Sequence, residues 1–223
     1  MNTSTEMVLP ATPHAWPPEP AQRVILHGVS WGTYERLLAD FQDSHAAHFT
    51  YDRGALEIMV LSFKHEIFNR ALATLIETLA EELQIDFINA GSTTFKREDL
   101  ARGFEPDSCF YIQNEERVRG KKELNLLVDP PPDIVIEIDI SSLSLNKFSL
   151  YAQLGIPEVW RYDGNRVFIF KREGDQYTEV DHSMALPLLT SVVATRFLEE
   201  SAELRSTVWL RQVREWARQQ GRL

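Results

Sequence analysis

The segment that decides the fold is DIVIEIDI, residues 133–140, which follows three consecutive prolines at 130–132. Proline lacks an amide donor and restricts the residue before it, so a new element begins after the proline run. Alternate side chains of a strand share a face. One face carries Ile134, Ile136, Ile138 and Ile140, and the other carries Asp133, Val135, Glu137 and Asp139. The β-branched content is typical of a strand that is buried within a sheet.

Two acids of this strand lie in register on one face. The Cα atoms of Glu137 and Asp139 are expected roughly 6.6–6.8 Å apart, from the rise per residue of a strand. Carboxylates at that spacing raise each other's pKa unless a cation neutralises them, and burying both without a partner is costly. Mg²⁺ suits such a pair because it binds one or two carboxylates together with waters and substrate phosphate. The strand alone is equally compatible with an exposed face whose acids are ordinary surface charges.

A second acidic element favours the metal-binding interpretation. The segment Glu105-Pro106-Asp107 precedes the apolar strand SCFYI at 108–112. Asp107, at the start of that strand, could therefore meet Glu137 across the sheet. Asp133 forms another Pro-Asp pair, but its Cα is expected about 13 Å from that of Glu137, so the two acids should not share one ion.

The remaining segments predict an α/β fold, a mixed β-sheet flanked by helices. Ser30 caps a first helix, a hairpin turns at 52–54, and Ser62 caps a long helix with an apolar stripe between residues 67 and 83. Beyond this N-terminal helix and hairpin, short strands are expected at 85–90, 92–98 and 107–112. The remaining predicted elements are a helix at 141–154, a hairpin about 164–165, and C-terminal helices near 192–200 and 203–219.

The chain is expected to divide into three parts. Residues 1–22 are polar and Pro-rich, which favours a flexible tail. Residues 23–190 form one domain, and residues 191–223 form a helical extension packed on the domain or at a dimer interface. Cys109 is the single cysteine, which excludes an internal disulfide and fits a reducing, cytoplasmic location. No apolar run approaches the roughly 20 residues that span a bilayer, and no signal-peptide pattern is present, so no membrane partner is expected.

The formal net charge of −10 argues against sequence-independent coating of DNA, because such binding depends on Lys and Arg neutralising phosphates. Bound Mg²⁺ would invert the local field of an acidic site, which answers part of this objection. Basic residues do cluster at 117–122 and along the C-terminal helices at 205–222. Either cluster could contact phosphates or form a solvated surface.

The central motifs resemble those of a known group. Pro106-Asp107 is followed by Glu137-Ile138-Asp139, then by Ser141-Ser142, Lys147 and Tyr151. This order resembles the PD-(D/E)XK nuclease superfamily. The stretch PPDIVIEIDISS, followed by NKFSLYAQLGIPEVWRYD, is similar to the signature of the bacterial Uma-type restriction endonuclease family. The resemblance covers about residues 24–190 and implies a restriction-endonuclease-like fold.

The resemblance also implies roles for particular residues. Asp107 and Glu137 would bind the metal, and Glu66 matches an acid that the first core helix contributes in many members of the superfamily. The superfamily often has Lys two residues after the second acid, where this chain has Asp139. In the narrower family the lysine has moved to the following helix, which would make Lys147 the substitute. Asp139 could extend the metal site or position Lys147.

These observations lead to three hypotheses about function. The first is a metal-dependent endonuclease using Mg²⁺, which Mn²⁺ could replace, with DNA as the favoured nucleic-acid partner and a homodimer as a candidate assembly. The second is a catalytically inactive member of the fold that binds nucleic acid or protein, supported by the missing lysine at 139 and the negative charge. The third is a glycosidase that uses paired carboxylates. His65 is expected to be a polar residue at a helix start rather than a base.

Overall fold

The computed structural model describes residues 22–41, 47–140 and 145–220. The strands are β1 (Gln22–Leu26), β2 (His48–Asp52), β3 (Ala55–Val60), β4 (Ile88–Asn89), β5 (Phe95–Arg97), β6 (Arg102–Phe104), β7 (Ser108–Tyr111), β8 (Ile134–Ile138), β9 (Glu158–Tyr162), β10 (Val167–Glu173) and β11 (Gln176–Val180). The helices are α1 (Trp31–Phe41), α2 (Phe63–Glu82), α3 (Glu115–Val118), α4 (Lys147–Leu154), α5 (Ser191–Glu203) and α6 (Ser206–Gln220). The predicted α/β class is confirmed.

The strands form two sheets where one mixed sheet was expected. The first sheet has the order β1-β3-β2-β6-β5, and all of its neighbours are antiparallel. The second has the order β11-β10-β9-β8-β7-β4, and its one parallel pair is β8 with β9. The helix α4 makes the crossover between these parallel strands, as a parallel connection requires.

Local signals position the first elements as the sequence predicts. Arg53 and Gly54 have φ values of 47° and 95°, which close the tight turn between β2 and β3. The Ser62 hydroxyl accepts a hydrogen bond from the His65 amide and thereby caps α2. The turn and the cap thus fix where β3 begins and where α2 begins.

The strand β8 has the two faces that its alternation predicts. Ile134, Ile136 and Ile138 are buried in a core shared with Leu72 and Ile76 of α2. Val135 lies in a second core, on the opposite face of the sheet, together with residues of α4. The sheet is therefore covered on one face by α2 and on the other by α4, and Glu137 lies on the α4 face.

The C-terminal helices pack against the chain's own core. Val213 and Ala217 of α6 are fully buried, and the Trp209 indole donates a hydrogen bond to the carbonyl of Phe197 at 2.8 Å. Arg218 pairs with Glu82 of α2, with Nε 2.7 Å from Oε2. Helix α6 thus covers part of the apolar face of α2.

Several boundaries differ from the predictions. Strand β1 begins at Gln22, whereas the tail was expected to include that residue; residues 1–21 of the expected tail lie outside the described part of the chain. Strand β6 was not predicted, because three residues carry little periodicity. Helix α4 begins at Lys147 and is capped by the Asn146 side chain, later than the expected start at Ser141; residues 141–144, which include Ser141-Ser142, are outside the described residues.

Within the three described ranges, no helix combines the length and the apolar character needed to cross a bilayer.

Candidate active site

Two carboxylates from different strands meet at the C-terminal end of β8. Ser108 pairs with Ile136 in the antiparallel β7–β8 register, so extending that register by one residue places Asp107 opposite Glu137. The two residues are 3% and 8% exposed. The Ile138 amide donates to Asp107 Oδ2 at 2.7 Å and fixes the carboxylate against β8. The structure therefore brings together the two acids that the sequence analysis paired.

Glu137 is held by two residues of α4. Lys147 Nζ donates to its Oε2 at 2.8 Å, and the Tyr151 hydroxyl donates to its Oε1. Lys147 and Tyr151 are four residues apart in a helix and so lie on the same side of it. Burial raises the pKa of Glu137; the Lys147 charge opposes that rise, while the Asp107 charge adds to it.

Lys147 lies between two acids. Its Nζ is 3.8 Å from Glu57 Oε1 in addition to the 2.8 Å contact with Glu137. Burial alone would lower the pKa of Lys147, but the negative charges of Glu137, Glu57 and Asp107 outweigh burial and raise it. The lysine is therefore a protonated cation at neutral pH.

Asp107 has a different environment, with two histidines close to its carboxylate. His48 Nδ1 is 3.4 Å from Oδ1, and His65 Nε2 is 3.0 Å from Oδ2. Neither contact has the alignment of a hydrogen bond, and Oδ1 has no hydrogen-bond partner among the described residues. Burial acts to raise the pKa of Asp107, but the contacts with His48 and His65 and the charge of Lys147 outweigh it, so the pKa lies below its usual range.

Glu57 and Arg23 extend the charged network behind Lys147. Glu57 lies in β3, is 1% exposed, and accepts a hydrogen bond from the Leu145 amide at 2.9 Å. Arg23 in β1 lies between two acids, with Nε 3.9 Å from Glu57 Oε2 and Nη1 3.7 Å from Asp139 Oδ1. Asp139 therefore faces Arg23 at the edge of the site.

The structure does not bring Glu66 to this cluster, which corrects the expectation that it joins the metal ligands. Its Oε1 accepts a hydrogen bond from Arg70 Nε at 2.6 Å on the surface of α2, in a groove that Ile67 and Trp209 also line. Successive residues of a helix point in directions about 100° apart, since there are 3.6 residues per turn. His65, one position earlier, is the residue that points at Asp107. It lies in the first turn of α2, where the sequence placed it.

A cavity of about 350 Å³ opens beside Glu137 and the first turn of α4. Its charged lining residues are Arg23, Glu137, Asp139, Lys147 and Arg161. Asn146 and Phe148 contribute to the same wall, whereas Asp107 does not line it. A substrate entering this space would meet three cations and two acids.

The donor set at the end of β8 suits a hard divalent cation. Asp107 Oδ1 is a buried carboxylate oxygen without a hydrogen bond, and the Glu137 carboxylate lies across from it. In the described ranges, no group of three or more His, Cys, Asp or Glu side chains is arranged to hold an ion. Magnesium commonly needs only one or two carboxylates, because waters and substrate phosphates complete its octahedron. The pair therefore fits Mg²⁺ in number and chemistry.

Sequence reasoning missed four residues of this network. Glu57 is a single acid within the apolar strand ALEIMV, and an acid in such a strand was an available signal. His48 opens the same hairpin, and Arg23 was placed just beyond the expected tail. Tyr151 was named in the family motif without a role, and its hydroxyl contacts Glu137.

Comparisons with known proteins agree with the family suggested by the motifs. A family model described as "Uma2: Putative restriction endonuclease" matches residues 31–205. Among solved structures, the chain is similar to a "putative nuclease belonging to DUF820" from Anabaena variabilis ATCC 29413, with 17% identity, a TM-score of 0.48, and coverage of 67% of this chain and 90% of that chain. No curated protein matches it. Because the Uma2 model matches most of its length, the chain belongs to the Uma2 restriction endonuclease family.

Proposed function

We propose that the protein is a metal-dependent endonuclease that hydrolyses phosphodiester bonds of nucleic acid, with DNA as its substrate and Mg²⁺ as its cofactor. One observation carries the proposal. Two buried carboxylates, Asp107 and Glu137, meet across the sheet, and a buried ammonium, that of Lys147, lies 2.8 Å from one of them at the edge of a cavity. Two acids that can hold a divalent cation, with a fixed positive charge beside them, suit the hydrolysis of an anionic ester.

Asp107 and Glu137 would hold the ion. A bound Mg²⁺ polarises a phosphoryl oxygen and lowers the pKa of a coordinated water, which Mn²⁺ would also do. Asp107 is suited to this role because its pKa lies below the usual range, which favours the ionised carboxylate at neutral pH. The hydrogen bond from the Ile138 amide to Oδ2 keeps the carboxylate in place, and Oδ1 has no hydrogen-bond partner among the described residues.

Lys147 supplies a positive charge at the reacting phosphate. Because its pKa is raised, Lys147 stays protonated, so it would act through its positive charge and not by transferring a proton. A fixed charge in a water-poor site stabilises negative charge developing on phosphoryl oxygens more strongly than it would in water. Glu57, 3.8 Å from Nζ, limits where the ammonium can move. Asp139 would act at the edge of the site through Arg23.

The alternative of an inactive binding module rested on the absence of lysine at position 139 and on the net negative charge. Lys147 contacts Glu137 from the following helix, so a cation does accompany the second acid. This contact favours the catalytic hypothesis over the binding module. The glycosidase hypothesis gains no support from the Uma2 match.

The test is nicking of supercoiled plasmid and cleavage of single-stranded DNA with Mg²⁺, Mn²⁺ or EDTA. We expect cleavage by the wild type with either metal and none in EDTA. Glu137→Gln should lose cleavage by about 10³-fold, the order seen when one electrostatic contact to a transition state is removed. Calorimetric titration of Mn²⁺ into each protein gives a readout that does not depend on turnover.

Glu66→Gln is the matched control, because Glu66 is an acid outside the cluster. It should cleave and bind Mn²⁺ like the wild type. The proposal is wrong if the purified wild type neither binds Mn²⁺ nor cleaves any nucleic acid, or if Glu137→Gln remains fully active.

A further inference from the structure

The three cations that line the active-site cavity differ in their partners. Lys147 lies within 4 Å of Glu57 and Glu137, and Arg23 lies within 4 Å of Glu57 and Asp139. Arg161 lines the same cavity, yet no carboxylate of the described residues lies within 4 Å of its guanidinium. Two of the cations are thus neutralised by the protein, and the charge of Arg161 remains available to a ligand.

Strand pairing fixes Arg161 beside the catalytic acid. In the parallel β8–β9 register Arg161 is the partner of Glu137, so their side chains extend from the same face of the sheet. The guanidinium lies over two rings of β10, at 5.3 Å from the centroid of Phe168 and 5.5 Å from that of Phe170. These rings restrict the side chain to the cavity side of the hairpin.

Among the described residues, the guanidinium of Arg161 makes no hydrogen bond. Its Nε is buried and has no hydrogen-bond partner within the described part of the chain. Buried donors are nearly always paired, so an unpaired one in a cavity wall indicates a missing ligand. A guanidinium offers several donors in a planar fork that matches the geometry of a phosphate.

We propose that Arg161 forms a phosphate-binding subsite beside the metal centre, and that this subsite holds a phosphodiester of single-stranded nucleic acid next to the one that is cleaved. This inference rests on the proposed function. The first turn of α4 supports it, because Asn146 and Lys147 at the helix N-terminus line the same cavity and the positive end of a helix favours anions.

The dimensions of the cavity favour a single strand. Its volume of about 350 Å³ is at the lower end of the range for sites that bind small molecules, roughly 300–1,000 Å³. A space of this size holds about one nucleotide unit rather than a duplex. Glu137 is only 8% exposed, so a phosphate must enter the cavity to reach it.

Arg166 provides a matched control on the same hairpin. Its guanidinium lies over the same Phe168 ring, at 3.8 Å from the centroid, so both arginines stack on one aromatic side chain. Arg166, however, pairs with Glu179 at 3.2 Å and does not line the cavity. Replacing each arginine by Gln therefore separates loss of aromatic stacking from loss of the cavity charge.

The test measures binding of fluorescein-labelled hexathymidylate by anisotropy in Ca²⁺, between 50 and about 200 mM salt, a range over which phosphate contacts change affinity strongly. Arg161→Gln should weaken binding about tenfold, as expected for one charge-assisted contact. The magnitude of its log–log salt slope should fall by about 0.7, the value for one phosphate contact on a single strand. Arg166→Gln should match the wild type in both quantities.

Arg161→Lys distinguishes ligand binding from a structural role. It keeps the charge but loses the planar stack, so the salt slope should stay at the wild-type value while the affinity falls only in part. If Arg161→Gln binds hexathymidylate like the wild type, or if the wild type does not bind it, the subsite does not exist. If the wild type binds the probe through Arg161 but cleaves nothing with Mg²⁺ or Mn²⁺, the subsite stands and the proposed hydrolysis fails.

Discussion

Two aspartates, Asp107 and Asp133, follow a proline in this chain, and each is 3% exposed. Asp133 accepts three hydrogen bonds: Oδ2 accepts from the amides of Ile112 and Asn114 at 2.7 and 2.9 Å, and Oδ1 accepts from Asn114 Nδ2 at 2.6 Å. Within the described part of the chain, Asp107 accepts one well-formed hydrogen bond, from the Ile138 amide, and its Oδ1 has no hydrogen-bond partner.

The difference separates a structural acid from one available for chemistry. The contacts of Asp133 tie the end of β7 to the start of β8, and both of its carboxylate oxygens accept hydrogen bonds from residues 112 and 114. Asp107 lies against two histidines and across from Glu137, with an oxygen that the fold does not use. Buried polar atoms without partners are rare and are found preferentially where a ligand or ion binds.

The largest expected effect is on catalysis, in Asp107→Asn. Asparagine has the same shape and its oxygen can still accept from the Ile138 amide, but it does not supply an anionic ligand. We expect a loss of about 10³-fold or more in plasmid nicking, the order of one essential electrostatic contact. Circular dichroism should show a folded variant. If nicking persists, the unpaired oxygen of Asp107 has no role in the reaction.

The next largest effect is on stability, in Asp133→Asn. Three donors converge on this carboxylate, so an amide NH₂ placed there would face another donor and leave it unpaired. We expect a loss of about 2–3 kcal/mol in the free energy of unfolding, from the cost of an unsatisfied buried donor. Urea denaturation measures this loss. The folded variant should nick DNA like the wild type; a loss of nicking in folded protein would contradict the separation of the two aspartates.

The smallest expected effect is a change in the free energy of unfolding with pH that depends on Asp107. The pKa of Asp107 in the folded protein lies below that of an unfolded aspartate, about 3.9. An acid with a depressed pKa contributes stability above its unfolded pKa and loses that contribution as the pH falls through its folded pKa. As the pH falls below about 4, the difference in unfolding free energy between wild type and Asp107→Asn should therefore change in the direction that disfavours the wild type. At higher pH a contribution of the opposite sign is expected, because burial lowers the pKa of His48 but the contact with Asp107 outweighs burial and raises it.

For Glu137 the expected change in stability with pH has the opposite sign, so Glu137 serves as the control for the titration of Asp107. Burial raises its pKa, so the folded state takes up a proton more readily than the unfolded chain does. Relative to Glu137→Gln, the wild type should gain stability as the pH falls through the raised pKa. Urea midpoints at several pH values measure both differences, and equal slopes for the two variants would contradict the assigned environments.

The sequence predicted the site well where a local pattern determines the outcome. The alternation in DIVIEIDI placed Glu137 on the face opposite the isoleucines, and the Pro-Asp pair before SCFYI placed Asp107 across from it. The turn at Arg53-Gly54 and the Ser62 cap also follow from residues within a few positions of each other. Each of these features depends on backbone geometry over one element and needs no knowledge of distant contacts.

The sequence failed where the site depends on packing between distant segments. Glu57 and Arg23 come from the first sheet, 80 or more positions before Glu137 along the chain, and no local pattern states that this sheet packs against α4. The choice of Glu66 over His65 failed for a related reason. A rotation of about 100° per residue separates their directions, and only the position of α2 on the sheet decides which of them faces inward.

The ammonium of Lys147, held between Glu57 and Glu137, is in effect a counter-ion attached to the chain. Without this charge, the buried carboxylates around it would repel one another. Because the chain itself supplies the cation, part of the negative charge of the cluster is balanced independently of any ion in solution.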